Sequence, residues 1–140
     1  MVAYPLVGGC QCGDVRFEVT EQLLSANSCH CSKCRKRTGT AASASAFVAP
    51  HSVRVVCGQE LLSAWTPDAR YEHVFCGTCG SPLWSARCND HEIVVIRLGA
   101  IEGDPGIRPS LRQFVGSAAP FEPIPDDGLP HYTERRPAGS

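Results

Sequence analysis

The sequence predicts one domain built mainly of β-strands. Three observations carry the prediction. Apolar and polar residues alternate through several short segments instead of recurring at helical spacing. Glycine and proline, 13 and 11 in 140 residues, break the chain at short intervals, together with Asn and Asp. Cysteines come in close pairs beside glycines, where the backbone can turn tightly and bring two sulfurs toward one point.

The elements follow in order. GDVRFEVTE, residues 13–21, alternates around Val15, Phe17 and Val19 and reads as a half-buried strand. A short helix can start near Ser32 or near Ser110. TAASASAFVAP, residues 40–50, suits helix or strand by composition; its Ala42, Ala44, Ala46, Val48 alternation leans toward a strand that Pro50 ends. HSVRVVCG, 51–58, reads as a strand closed by Gly58, with ELLSAWTP, 60–67, as its hairpin partner. RYEHVFC and GSPLWSARC flank a thiol pair, and HEIVVIRLGAIEG, 91–103, is the most apolar strand. From Pro109 the chain is proline-rich, and Phe114, Phe121, Ile124 and Leu129 are expected to pin an extended arm across the core. The reading is a domain over residues 1–133 and a frayed tail over 134–140.

Composition narrows the function. Hydrophobic residues at 43% and charged residues at 19% describe a globular chain, neither disordered nor spanning a membrane. No stretch approaches the roughly 18 apolar residues a membrane helix needs. A formal net charge of -1 offers no broad basic surface to nucleic acid. MVAYPLVGGCQCG lacks the basic head and apolar core of a secretory signal, so a cytoplasmic location is expected. Nine cysteines, an odd number, then read as reduced thiols, and clustered reduced thiols point to metal.

The thiols sort into two sets. Cys10-x-Cys12 and Cys76-x-x-Cys79, in GGCQCG and FCGTCG, supply four thiolates, the number a closed tetrahedral zinc site requires. An iron–sulfur cluster uses the same ligands, and spacing alone leaves it open. Cys29-x-Cys31-x-x-Cys34 offers three thiolates within six residues. Three protein ligands with a position left open is the catalytic pattern of zinc. His30 points away from its neighbouring cysteines on an extended segment, so it is expected to contact substrate or brace a ligand, as the nearest general acid or base. Lys33, Arg35, Lys36 and Arg37 form the one dense basic cluster; they suit the carboxylates of a small acidic substrate, the alternative being an ordinary solvated face. Cys57, on a strand, reads as a packed apolar residue, and Cys88 as a partly exposed turn residue.

GGCQCGDVRFE (8–18), CHCSKCRKRTG (29–39), FCGTCGSPLW (75–84) and the tail FVGSAAPFEPIPDDGLP (114–130) together resemble the glutathione-dependent formaldehyde-activating (GFA) enzymes, the CENP-V/GFA domain. The resemblance implies an Mss4-like fold of zinc-stapled antiparallel sheets, a β-tent, with two zinc ions. It assigns Cys10, Cys12, Cys76 and Cys79 to the structural ion, and Cys29, Cys31 and Cys34 to a catalytic one. It implies a carbon–sulfur lyase reaction that joins formaldehyde to glutathione as S-(hydroxymethyl)glutathione. The chain departs from the family with Gln113 where a histidine is common and Phe121 where a tryptophan is common. The competing reading is a non-catalytic zinc module that binds a protein partner. Thiol redox chemistry through CSKC fits less well, because Cys29 and Cys31 crowd the pair and no βαβ pattern surrounds it.

Overall fold

Val15, Phe17 and Val19 are all fully buried, and they fix the centre of the fold. A computed structural model describes residues 2–139 of the chain. Phe17 and Val19 lie on β2 (Arg16–Val19), the middle strand of a small antiparallel sheet between β1 (Leu6–Gly9) and β5 (Val53–Cys57). The larger sheet has seven strands in the order β10-β3-β4-β9-β8-β7-β6. These are β3 (Ser25–Cys29), β4 (Ser43–Phe47), β6 (Leu62–Trp65), β7 (Tyr71–Cys76), β8 (Pro82–Arg87), β9 (Ile93–Arg97) and β10 (Arg112–Gln113). All neighbours are antiparallel except β10, which runs parallel to β3. The fold is thus mainly β and of the Mss4-like, antiparallel kind.

The core joins the two sheets. Phe17 meets Trp84 of β8 edge-on, ring centroids 5.4 Å apart at 84°, a geometry the ring quadrupoles favour. Leu6, Val19, Ala46, Val74, Leu83 and Ile96 belong to the same cluster.

Several expectations are corrected. The segment 60–67 is not the hairpin partner of β5: β5 pairs with β2, while β6 pairs with β7. Gly58, at φ +87, turns the chain from one sheet into the other, and a Cβ there would lie 2.3 Å from the Asp14 carbonyl. Hydrophobic alternation marks a strand but not its partner. Leu6–Gly9 and Ser25–Cys29 are strands that carry too little alternation to announce themselves. No helix forms near Ser110; Ser110 donates its N–H to the Ala26 carbonyl as the chain approaches β10. Cys57 is exposed, because the outer face of β5 has nothing packed on it. Phe121 is 72% exposed and pins nothing, whereas Leu111 and Ala119 are the buried anchors of the arm.

The end of the chain folds back. Tyr132 donates to the Arg112 carbonyl, and the Phe114 N–H donates to Glu134, so residues 130–134 run beside β10. Farther on, the Arg136 N–H donates to Gln113 Oε1, and its guanidinium lies 4.9 Å over the Phe47 ring. The stretch expected to fray is thus tied down through residue 136; Ser140 lies outside the described residues.

Two thiolate clusters and a polar row

The first cluster gathers Cys10, Cys12, Cys76 and Cys79, whose sulfurs all lie within 4.8 Å of one another. Cys10 and Cys12 sit in the turn between β1 and β2, while Cys76 ends β7 and Cys79 sits in the turn between β7 and β8. Cys10 Sγ is 3.4 Å from Cys12 Sγ, and Cys12 Sγ is 3.9 Å from Cys76 Sγ. A tetrahedral zinc with Zn–S bonds of about 2.3 Å sets its sulfurs about 3.8 Å apart, so the donor set fits the ion in number, chemistry and spacing. Val15 N–H donates to Cys10 Sγ, and Gln11 N–H to Ser81 Oγ, which steadies one turn against the other. The cluster therefore joins the small sheet to the large one.

The second cluster is Cys29, Cys31 and Cys34, again within 4.8 Å of one another. Cys29 ends β3. Cys31 caps the helix α1 (Ser32–Thr38), its Sγ accepting the Cys34 N–H at 3.3 Å. A thiol thus stands where serine or aspartate usually caps, and the same turn brings Cys34 back beside Cys31. Gly39, at φ +68, ends the helix. Hydrogen bonding to Cys29 and then Cys31, with the positive charges of Arg37 and Arg97, holds the Cys34 thiol down at about 5, while the same contact with Cys34 and burial push Cys29 up. This set too fits a thiophilic ion, with no fourth cysteine, histidine or carboxylate among the described residues close enough to close it.

An open cleft of about 770 Å³ lies against these three thiols. Lys33, Arg135 and Arg136 line it, along with Phe47, Gln113 and Phe114, and no carboxylate of the described residues does. The basic cluster of the sequence is therefore split. Lys33 faces the cleft; Arg37 Nη2 donates to Cys34 Sγ at 3.4 Å; Arg35 and Lys36 do not line the cleft and lie in the last turn of α1, where positive charge suits the helix dipole.

His30 is buried and turned away from the cleft. Its Nε2 accepts from Arg112 Nη1 at 3.3 Å, which places the imidazole proton on Nδ1, and Arg112 is paired with Asp127 at 2.8 Å. Burial, then the Arg112 charge, pulls its pKa down. The expected catalytic role for His30 has no geometric support here: it braces the arm against β3.

The site also holds residues that the sequence did not single out. Arg97, 9% exposed at the end of β9, donates from Nη1 to Ser45 Oγ at 3.0 Å and from Nη2 to Ser85 Oγ at 2.7 Å. Ser85 Oγ is 2.8 Å from His73 Nδ1, and His73 stacks obliquely near Trp65 at 6.0 Å. Asn27, Ser45 and Arg97 are cross-strand partners, as are Ser85, His73 and Trp65, so these side chains form a polar row across one face of the large sheet. One signal was available: an arginine in IVVIRLG, the most apolar strand, is either exposed at its end or buried for a reason.

A sequence model of the glutathione-dependent formaldehyde-activating enzymes matches residues 5–117. The chain belongs to this family. It is also similar to the crystal structure of a Rhodobacter sphaeroides protein, 30% identical, with a TM-score of 0.55; the match covers 90% of this chain and 98% of that one. The family match takes in both cysteine clusters and stops before residues 118–139, so Arg135 and Arg136 lie outside it. No described helix is long and apolar enough to cross a membrane.

Proposed function

We propose that the protein is an enzyme of the carbon–sulfur lyase type that joins a small aldehyde, formaldehyde by family, to glutathione or a related anionic thiol. The observation that carries this reading is the three-thiol cluster, its ligand shell unclosed among the described residues, at the edge of a cleft lined by Lys33, Arg135 and Arg136. On this reading the two clusters divide their work: Cys10, Cys12, Cys76 and Cys79 hold a structural zinc, and Cys29, Cys31 and Cys34 hold a catalytic one. A zinc ion with three thiolates and an open position supplies a Lewis acid and a landing place for a fourth sulfur.

The chain's own residues do the rest. Lys33, Arg135 and Arg136 meet the two carboxylates of the tripeptide, matching negative charge with geometry suited to charge-assisted bonds. Arg37 keeps Cys34 in its anionic, ligating form. The cleft holds sulfur and aldehyde together, which lowers the entropic part of the barrier. In the reaction a sulfur lone pair forms the C–S bond, the carbonyl π pair moves to oxygen, and that oxygen takes the proton the thiol gives up.

The cationic partners differ from the sequence expectation of Arg35, Lys36 and Arg37: the tail supplies two of them. The test is exchange spectroscopy with ¹³C-formaldehyde and glutathione. The zinc-loaded protein should speed adduct formation over the spontaneous rate, and Cys34→Ala should abolish the gain. Equal rates with and without the zinc-loaded protein would leave a binding module as the better reading.

A further inference from the structure

A smaller pocket, about 220 Å³, is lined by Arg37, Trp65, His73, Phe75, Pro82 and Arg97 among others. It shares no lining residue with the thiolate cleft. We propose that this pocket binds a small organic anion with an apolar or aromatic body, such as an aromatic monocarboxylate.

Charge is the first argument. Neither Arg37 nor Arg97 pairs with a carboxylate among the described residues, although five other arginines do. Arg97 is nine-tenths buried and held only by two serine hydroxyls. Arg37 Nε is buried with no partner at all. A buried guanidinium without a counter-charge is costly. Three thiolates and a zinc ion would leave one net negative charge against these two positive ones, so the pocket stays positive when the cluster holds its ion and no fourth thiolate. No carboxylate lines it; Asp68, the acid whose charge reaches His73, is engaged by the N–H groups of Arg70 and Tyr71.

Hydrogen-bond direction is the second. Arg97 can only donate, so Ser85 Oγ accepts from it, and the same oxygen lies 2.8 Å from His73 Nδ1. In the tautomer where the serine gives its proton to Nδ1, the neutral imidazole offers Nε2–H as a third donor beside the two guanidiniums. Trp65, 57% exposed, and Phe75 supply the apolar side. Ligand sites of this kind are mostly apolar with a few convergent polar groups, and the volume suits a molecule smaller than a drug.

The probe is sodium benzoate, titrated into zinc-loaded protein. Trp65 and Trp84, the two tryptophans of the chain, both line the pocket and report on it by fluorescence. Benzoate should give a saturable change in the millimolar range, and benzyl alcohol, its uncharged analogue, should bind about tenfold more weakly or less. By calorimetry, Trp65→Ala should weaken benzoate several-fold, a change at an exposed residue that spares the core. Saturating glutathione should not displace benzoate, and Arg136→Ala should leave its affinity as it was. No saturation by about 50 mM, or equal binding of benzyl alcohol, would overturn the proposal. So would competition by glutathione or loss with Arg136→Ala, since benzoate would then occupy the thiolate cleft.

Discussion

Arg37 Nη2 lies 3.4 Å from Cys34 Sγ, three residues away on α1, and so ties the basic cluster of the helix to the second thiol set. A cation at that distance favours the deprotonated, metal-binding sulfur. Replacing Arg37 with Gln keeps a donor but removes the charge. The second site should then hold zinc about tenfold less tightly while the first is unaffected, since groups around metal ligands commonly contribute that much. Competition with a chromophoric chelator measures both.

The two clusters should fail differently. Cys76 is fully buried and its cluster joins the two sheets, so Cys76→Ala should unfold or aggregate the chain, because structural zinc supplies folding free energy. Cys34→Ala removes a ligand from a helix at the sheet's edge. It should keep the β-sheet circular dichroism and lower the metal content to about one zinc per chain. Equal unfolding by both variants would contradict the division of roles.

Phe17 should outweigh Phe121. Phe17 is fully buried against Trp84, and Phe17→Ala should destabilise by about 3–5 kcal/mol. Phe121→Ala, at a residue 72% exposed, should change stability by no more than about 0.5 kcal/mol. Urea denaturation at neutral pH compares the two.

His73 gives a pH prediction with a definite sign. Burial, and then the charges of Arg37 and Arg97, lower its pKa to about 4. In the unfolded chain it titrates near pH 6.5. As the pH falls below about 6.5 the unfolded state takes up the proton first, so this residue costs the folded state stability until the pH nears 4. The direct measurement is an NMR titration of the His73 ring. It should show no change from pH 7 to 5.5, and a midpoint near 6.5 would contradict the buried, neutral imidazole.

The sequence was most legible where local chemistry is self-contained. Val15, Phe17 and Val19 announce a buried strand by alternation, and the cysteine spacings announce both clusters, because chelation by short segments needs no knowledge of the fold. Partners across the sheet were illegible: nothing in ELLSAW says that it pairs with β7 instead of β5, since both strands offer the same pattern. Arg135 and Arg136 were unreadable for a related reason. The place of Arg136 along the cleft depends on Gln113 Oε1 and the Phe47 ring, 23 and 89 residues away in sequence. His30 was expected to turn away from its neighbouring cysteines, but its partner there, Arg112, is 82 residues away in sequence and could not be read.

The tail should tune thiol recognition without touching the metal. Arg135→Ala with Arg136→Ala should weaken glutathione about tenfold or more, through lost charge-assisted contacts, and leave zinc content unchanged.

The central claim is that the Cys29, Cys31 and Cys34 site takes a free thiol from an anionic substrate. Calorimetric titration of zinc-loaded protein with glutathione, and in parallel with S-methylglutathione, tests it most directly. The two ligands carry the same carboxylates and differ only at sulfur. Glutathione should bind at millimolar concentration or below, and the S-methyl compound at least about tenfold more weakly. Equal affinities, or no binding of either, would contradict the account.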